Sequence, residues 1–235
     1  MECGQKVGQK MSTHQKRIVV LGGSFNPPTF AHLKIMLQAI NELNAEFGLF
    51  VPSSDNYVRR KMTRQSKDKI IYSELTRYQM LSVLDDKLET HPIMINICEY
   101  GDDGRGHTYD TLMKIQSQYP EYEIVFILGS DKLTVLPKWY KNNVLLEQFH
   151  FAVITRKQAE QKALVHTIEN HTKLKNIKSQ FHILNSIGDN AEISSTLARE
   201  LIVEKDWRNL AKIIPKGVLK LIWQTDHIEC IKEGS

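Results

Sequence analysis

The chain has 235 residues, room for one sizeable α/β domain or two small ones. Hydrophobic residues at 41% and charged residues at 25% are ordinary for a globular protein, and no apolar run approaches the ~20 residues of a membrane-spanning helix. A net charge of +4 is too mild to argue for nucleic acid, and the scattered Cys3, Cys98 and Cys230 lack metal-ligand spacing and read as free thiols in a reducing cytoplasm.

Residues 1–16 are polar and aperiodic, and are expected to form a disordered tail ahead of one domain covering 17–235. They lack the apolar core of a secretory signal. From Arg17 onward short β-rich runs alternate with longer helical ones. Arg17 to Leu21 reads as a buried strand ending at Gly22-Gly23. His32 to Glu46 carries Leu33, Met36, Leu37, Ile40 and Leu43 at helical spacing. Leu49 to Val51 is a second strand, stopped by Pro52-Ser53-Ser54. Asp55 to Lys69 holds six basic and two acidic residues and reads as a loop, either solvated or anion-binding. Ile70 to Leu84 reads as helix, Ile93 to Ile97 as strand, and Tyr109 to Gln118 as a helix stopped by Pro120. Glu123 to Leu128 is the clearest strand and ends at Gly129. A helix over Lys141 to Gln148 leads to a strand over Phe151 to Thr155, a helix over Lys157 to Lys173 and a last strand over Phe181 to Leu184. Helices follow at Ser195 to Glu204 and Lys216 to Trp223.

This alternation predicts an α/β fold: a doubly wound, Rossmann-like parallel sheet with helices on both faces and a small helical C-terminal segment. Ligands of such sheets sit beyond the carboxyl ends of the strands, so the strand-to-helix turns are where chemistry is expected.

The first such turn is Gly22-Gly23-Ser24-Phe25-Asn26-Pro27-Pro28-Thr29-Phe30-Ala31-His32. Two glycines let the backbone pass close to a ligand, and two prolines stiffen the loop. The helix opening near Phe30 offers free N–H groups and a positive dipole end to an anion. His32, in its first turn, can face a bound phosphate; taken alone it reads equally as a surface or packing histidine. The string G-S-F-N-P-x-T-x-x-H resembles the signature of the nucleotidylyltransferase superfamily. Within it, the string looks most like the nicotinate or nicotinamide mononucleotide adenylyltransferases. Thr29 stands where many members carry a first histidine, and Ala31 where glycine is usual.

Other segments extend the resemblance. Pro52 followed by Asp55-x-Tyr57 and Arg59-Arg60-Lys61 resembles the family's basic loop for the mononucleotide phosphate, a task suited to guanidinium forks. Arg77-x-x-Met80 matches a helical arginine of the family, and a solvent-facing arginine is the alternative. Gly106-His107-Thr108-Tyr109-Asp110-Thr111-Leu112 resembles S-Y-T-x-D-T-L, with His107 in place of tyrosine; Thr108 would lie near the pyridine substituent, or simply cap the helix. Gly129-Ser130-Asp131 matches G-x-D, and Leu136-Pro137-Lys138-Trp139 matches L-x-x-W, whose tryptophan stacks on the pyridine ring. Ile193-Ser194-Ser195-Thr196-Leu197-Ala198-Arg199 matches I-S-S-T-x-x-R, a capped helix start that also suits phosphate.

The resemblance implies transfer of AMP from ATP to nicotinic acid mononucleotide, giving deamido-NAD and pyrophosphate. His32 and Arg199 would be catalytic. ATP would be bound by Gly22, Gly23, Phe25, Thr29, His32, Gly129, Asp131, Ser195, Thr196 and Arg199. The mononucleotide would be bound by Ser24, Arg59, Arg60, Lys61, Thr108 and Trp139. Mg²⁺ would come with ATP, and no metal-binding residue is assigned to the protein. Partners are then ATP and a pyridine mononucleotide, with neither nucleic acid nor membrane, and self-association is left open. Competing readings are nicotinamide mononucleotide as acceptor, another nucleotidylyltransferase such as one acting on phosphopantetheine, and a non-catalytic nucleotide-sensing module. Trp139 and the basic segment argue against the second; His32 and Arg199 argue against the third.

Overall fold

The computed structural model describes residues 16–65, 70–84, 92–101, 105–155, 160–188 and 192–232. The tail expected over 1–16, apart from Lys16, and the start of the helix expected from Lys157 lie outside them. Six strands form one sheet: β1 (Arg17–Gly23), β2 (Phe47–Pro52), β3 (Ile93–Ile95), β4 (Glu123–Gly129), β5 (His150–Ile154) and β6 (Phe181–Leu184). All pairings are parallel, in the order β3-β2-β1-β4-β5-β6. The expected Rossmann-like sheet is therefore present. Strand order reverses between β1 and β4, which opens a crevice at their carboxyl ends.

The central strands read as nearly unbroken apolar runs because both sheet faces are covered. On one face Val19, Val125, Ile127, Ala152 and Ile154 are buried. They pack with Met36 and Ile40 of α1 (Phe30–Leu43), Met80 and Leu81 of α3 (Glu74–Ser82), and Ala198 and Ile202 of α7 (Ser195–Val203). On the other face Ile18, Val20, Ile124, Phe126 and Leu128 meet Leu112 and Ile115 of α4 (Thr108–Gln118), Leu145 and Leu146 of α5 (Asn142–Gln148), and Leu164 and Ile168 of α6 (Glu160–Asn170). None of the described helices is long and apolar enough to cross a membrane.

Two helices are not anticipated by the sequence reading. The basic segment expected as a loop is helical: α2 spans Asp55–Gln65. Its apolar stripe is only Val58 and Met62, four residues apart and both buried, so charges mask the periodicity. The other is α8 (Trp207–Ile213), capped by Asp206, whose carboxylate accepts from the Asn209 N–H at 3.1 Å. α9 runs over Lys216–Lys232, well past the expected Trp223. At α4 the N-cap is His107, with no side-chain bond to the helix, and Thr108 is the first helical residue.

Candidate active site

Three cavities open at the carboxyl ends of β1 and β4. A large one of about 560 Å³ is lined by Gly22, Gly23, Ser24, Lys61, Thr108, Gly129, Asp131, Lys132 and Trp139, with Tyr57, Glu99, His107 and Tyr140. A smaller one of about 210 Å³ is mostly apolar, with Ile35, Ile127, Ile154, Ile187 and Ile193 in its wall and Asp131 at its edge. A third, also about 210 Å³, is lined by Gly23, Ser24, Phe25, His32, Lys61, Ser195, Thr196 and Arg199. It shares Gly23, Ser24 and Lys61 with the large cavity, and His32 and Ser195 with the apolar one. The polar, cationic space thus borders both of the others.

His32 stands at this junction because α1 begins two residues earlier. Thr29 is the N-cap of α1, and its backbone N–H donates to His32 Nδ1 at 3.0 Å. Thr29 Oγ1 lies 2.8 Å from the same nitrogen. An acceptor at Nδ1 fixes the neutral tautomer with its proton on Nε2, leaving one N–H for a ligand. Burial, and then the positive charge of Lys61, push the imidazole down to about 4. Phe25 packs edge-on against the ring at 5.1 Å. Its backbone takes φ +46°, a left-handed conformation uncommon outside glycine that recurs at ligand sites.

The turn is clamped from two sides. Arg77 is fully buried. Its guanidinium donates to the Ser24 carbonyl at 2.9 Å, to the Tyr72 carbonyl at 3.1 Å and to Asp55 Oδ1 at 3.0 Å. The solvent-facing alternative for Arg77 is therefore wrong. Asn26 bonds the same segment, donating to the Ile70 carbonyl at 2.9 Å and accepting from the Tyr72 N–H at 2.8 Å. From the other side Ser195 Oγ donates to the Pro27 carbonyl at 2.8 Å, and Arg199 donates to the Asn26 carbonyl at 3.0 Å. Ser194 caps α7 by accepting from the Leu197 N–H at 3.1 Å. The N-termini of α1 and α7, with their N–H groups left over by the helices, are thereby brought to one cavity.

Three of the sequence-derived candidates sit differently from expectation. Arg59 and Arg60 are exposed on α2 and line none of these cavities, whereas Lys61, on the inner side, donates to Ser24 Oγ at 3.1 Å. A straight helix separates neighbouring side chains by about 100°, so three consecutive cations cannot share one face. Thr29 is completely buried and holds His32 rather than lining a cavity. The other candidates each line at least one of the cavities. Burial, and then the charges of Lys132 and Arg199, lower the Lys61 ammonium below its ordinary range. Four cationic or N–H-rich elements around one small space are suited to a polyphosphate.

A family model described as cytidylyltransferase-like matches residues 20–201. The chain belongs to this nucleotidylyltransferase family. A relative from Bacillus cereus (strain AH820), named "Probable nicotinate-nucleotide adenylyltransferase", is 30% identical over 141 residues, 60% of this chain and 70% of the relative. One of the same name from Bacillus anthracis (strain CDC 684 / NRRL 3495) matches to the same extent. Among solved structures, the Plasmodium falciparum nicotinic acid mononucleotide adenylyltransferase complexed with NaAD superposes with a TM-score of 0.64 at 23% identity, covering 90% of this chain and 96% of that one. The same enzyme complexed with APC gives 0.65 at 22% identity, over the same shares. Identities this low establish the fold.

Family motifs left several site residues unread. Lys132, directly after Asp131, lines the large cavity. Glu99 is buried there and accepts from the Thr111 hydroxyl at 2.6 Å. The apolar cavity draws on Ile35, Ile154 and Ile187, which lie in three separate segments and carry no local signal. Ile193, by contrast, opens the I-S-S-T-x-x-R string.

Proposed function

We propose that this protein joins the AMP half of ATP to nicotinic acid mononucleotide, releasing pyrophosphate and forming deamido-NAD. The observation that carries the reading is the meeting of three cavities. An apolar chamber and an aromatic-lined chamber adjoin along Leu21, Ile127, Gly129 and Asp131, and a cationic cavity borders both, which gives a dinucleotide a place for each ring and cations for the phosphates that link them. The names of the Bacillus relatives support the choice of acceptor.

In this reading adenine takes the apolar chamber among Ile35, Ile154, Ile187 and Ile193. The triphosphate lies over the N-termini of α1 and α7, near Thr196 and Arg199. The pyridine ring takes the large chamber beside Trp139 and Thr108, with its phosphate directed to Ser24 and Lys61. A phosphate oxygen of the mononucleotide attacks the α-phosphorus. The bond from α-phosphorus to the bridging oxygen breaks, and pyrophosphate leaves with the electron pair. No side chain forms a covalent bond, so the protein acts by positioning and by stabilising charge. His32 donates its Nε2–H to the α-phosphoryl oxygens, where charge builds up. Mg²⁺ brought in with ATP would neutralise part of the triphosphate's charge. Asp131, exposed where the large and apolar chambers both reach, is the kind of single carboxylate that a largely hydrated Mg²⁺ accepts.

The test is pyrophosphate release with ATP and Mg²⁺ and, in turn, nicotinate mononucleotide, nicotinamide mononucleotide and phosphopantetheine. We expect the highest kcat/KM with nicotinate mononucleotide. Preference for the amide would change the acceptor, and turnover with phosphopantetheine alone would overturn the reading.

A further inference from the structure

The turn after β4 carries a cation that no family motif assigns. Lys132 ends the short 3₁₀ turn Ser130–Lys132 and lines the large chamber, as does Lys61 of α2. Its ammonium pairs with Asp131 Oδ2 at 2.9 Å, with the side chains 56% and 61% exposed. Exposed pairs of this type contribute little and are exchanged easily, and lysine's four-carbon stem lets the charge relocate. Lys61 meanwhile donates to a neutral hydroxyl, Ser24 Oγ. The charges of Lys132 and Arg199 both act on Lys61, so three cations share one neighbourhood. Like charges gathered at one place are costly until an anion joins them.

We propose that Lys132 is a second phosphate-binding cation, which leaves Asp131 for the phosphate of the acceptor mononucleotide and grips it together with Lys61. The position of Lys132 decides which phosphate. It lines the large chamber and is absent from the wall of the cavity formed by His32, Ser195, Thr196 and Arg199. Two point charges on one phosphate limit its rotation. They hold one oxygen towards the α-phosphorus, where orientation governs rate. Releasing Asp131 from its partner also frees a carboxylate at the chamber's mouth as substrate arrives.

This inference rests on the mononucleotide reading above, and the experiment separates the two. Binding of nicotinate mononucleotide and of its riboside, which lacks the phosphate, is measured by calorimetry on the full chain. Parent, Lys132→Ala and Lys132→Arg are compared, with steady-state KM for both substrates. Lys132→Ala should weaken the mononucleotide about ten-fold and the riboside less than about two-fold, as expected for one charge-assisted contact. KM for ATP should stay near the parent's, and Lys132→Arg should recover most of the loss. The exposed position predicts an unchanged thermal midpoint. Equal losses for mononucleotide and riboside, a loss confined to ATP, or parent-like values in Lys132→Ala would each overturn the assignment. A parent that neither binds nor turns over the mononucleotide would overturn the proposed function, and this inference with it.

Discussion

His32 serves as a donor because Thr29 occupies its other nitrogen. Thr29 and His32 are three residues apart in the opening turn of α1, and the N–H of one reaches Nδ1 of the other at 3.0 Å. In the proposed reaction the ring would therefore meet phosphate as a neutral N–H donor rather than as a resident cation. Removing such a preorganised donor is typically worth on the order of 10²-fold in rate. His32→Ala should lower kcat by that amount with the fold intact, measured by single-turnover pyrophosphate release and circular dichroism. Parent-like turnover in a folded variant would remove His32 from the chemistry. Its ionisation gives a second check. In the free protein the imidazole should titrate at about 4 by NMR. Burial is the largest cause and Lys61 the next, so Lys61→Gln should raise that value only part of the way to the ordinary 6.5. Titration near 6.5 in the parent would show that the ring is neither desolvated nor next to a cation.

At the scale of elements, the site is a meeting of turns held by buried polar groups. Arg77 ties α3 to the first turn at Ser24, to α2 at Asp55 and to the stretch at Tyr72. A side chain with no exposure that satisfies two carbonyls and a carboxylate leaves all three unpaired when it is cut away. Arg77→Ala should cost on the order of 3 kcal/mol in urea unfolding. Because α2 carries Lys61, the remaining folded fraction should also show a raised KM for the mononucleotide. The ammonium of a lysine cannot reproduce the planar fork, so Arg77→Lys should rescue little. A variant of full stability would mean that water replaces the guanidinium. α7 is joined to the same turn through Ser195 and Arg199, which explains how two distant motifs act on one space.

Across the whole molecule, the two ends of the sheet do different work. The carboxyl ends form the crevice. The amino ends carry an ionic row in which Arg17 pairs with Glu123, and Glu123 lies 3.3 Å from His150. His150 in turn contacts His182 at 3.2 Å, so the row joins β1, β4, β5 and β6. The sheet also reaches one residue further than the sequence suggests, because the Glu123 N–H donates to the Lys16 carbonyl at 2.8 Å. Lys16 belongs to the fold, and the useful boundary for truncation is after residue 15. Deleting residues 1–15 should leave turnover within about two-fold, since that stretch of the sequence precedes the first strand and carries no motif. A large loss in a soluble, folded truncation would assign that segment a part in the site.

Local patterns along the chain specify the layer architecture and point to the chemistry. Unbroken apolar runs such as Ile124 to Leu128 specify buried parallel strands, and Gly22 to His32 and Ile193 to Arg199 are local strings whose spacing fixes two helix starts. Such signals survive because hydrophobic period and capping are short-range. Only the tertiary structure decided which cation of Arg59, Arg60 and Lys61 faces inward. The helical state of α2 is set by burying Val58 and Met62, against an average composition that reads as loop. It also decided that Thr29 supports His32, that Arg77 is buried, and that Ile35, Ile154, Ile187 and Ile193 form one chamber. Those outcomes depend on strand order and on contacts between segments far apart in the chain, which no local pattern encodes.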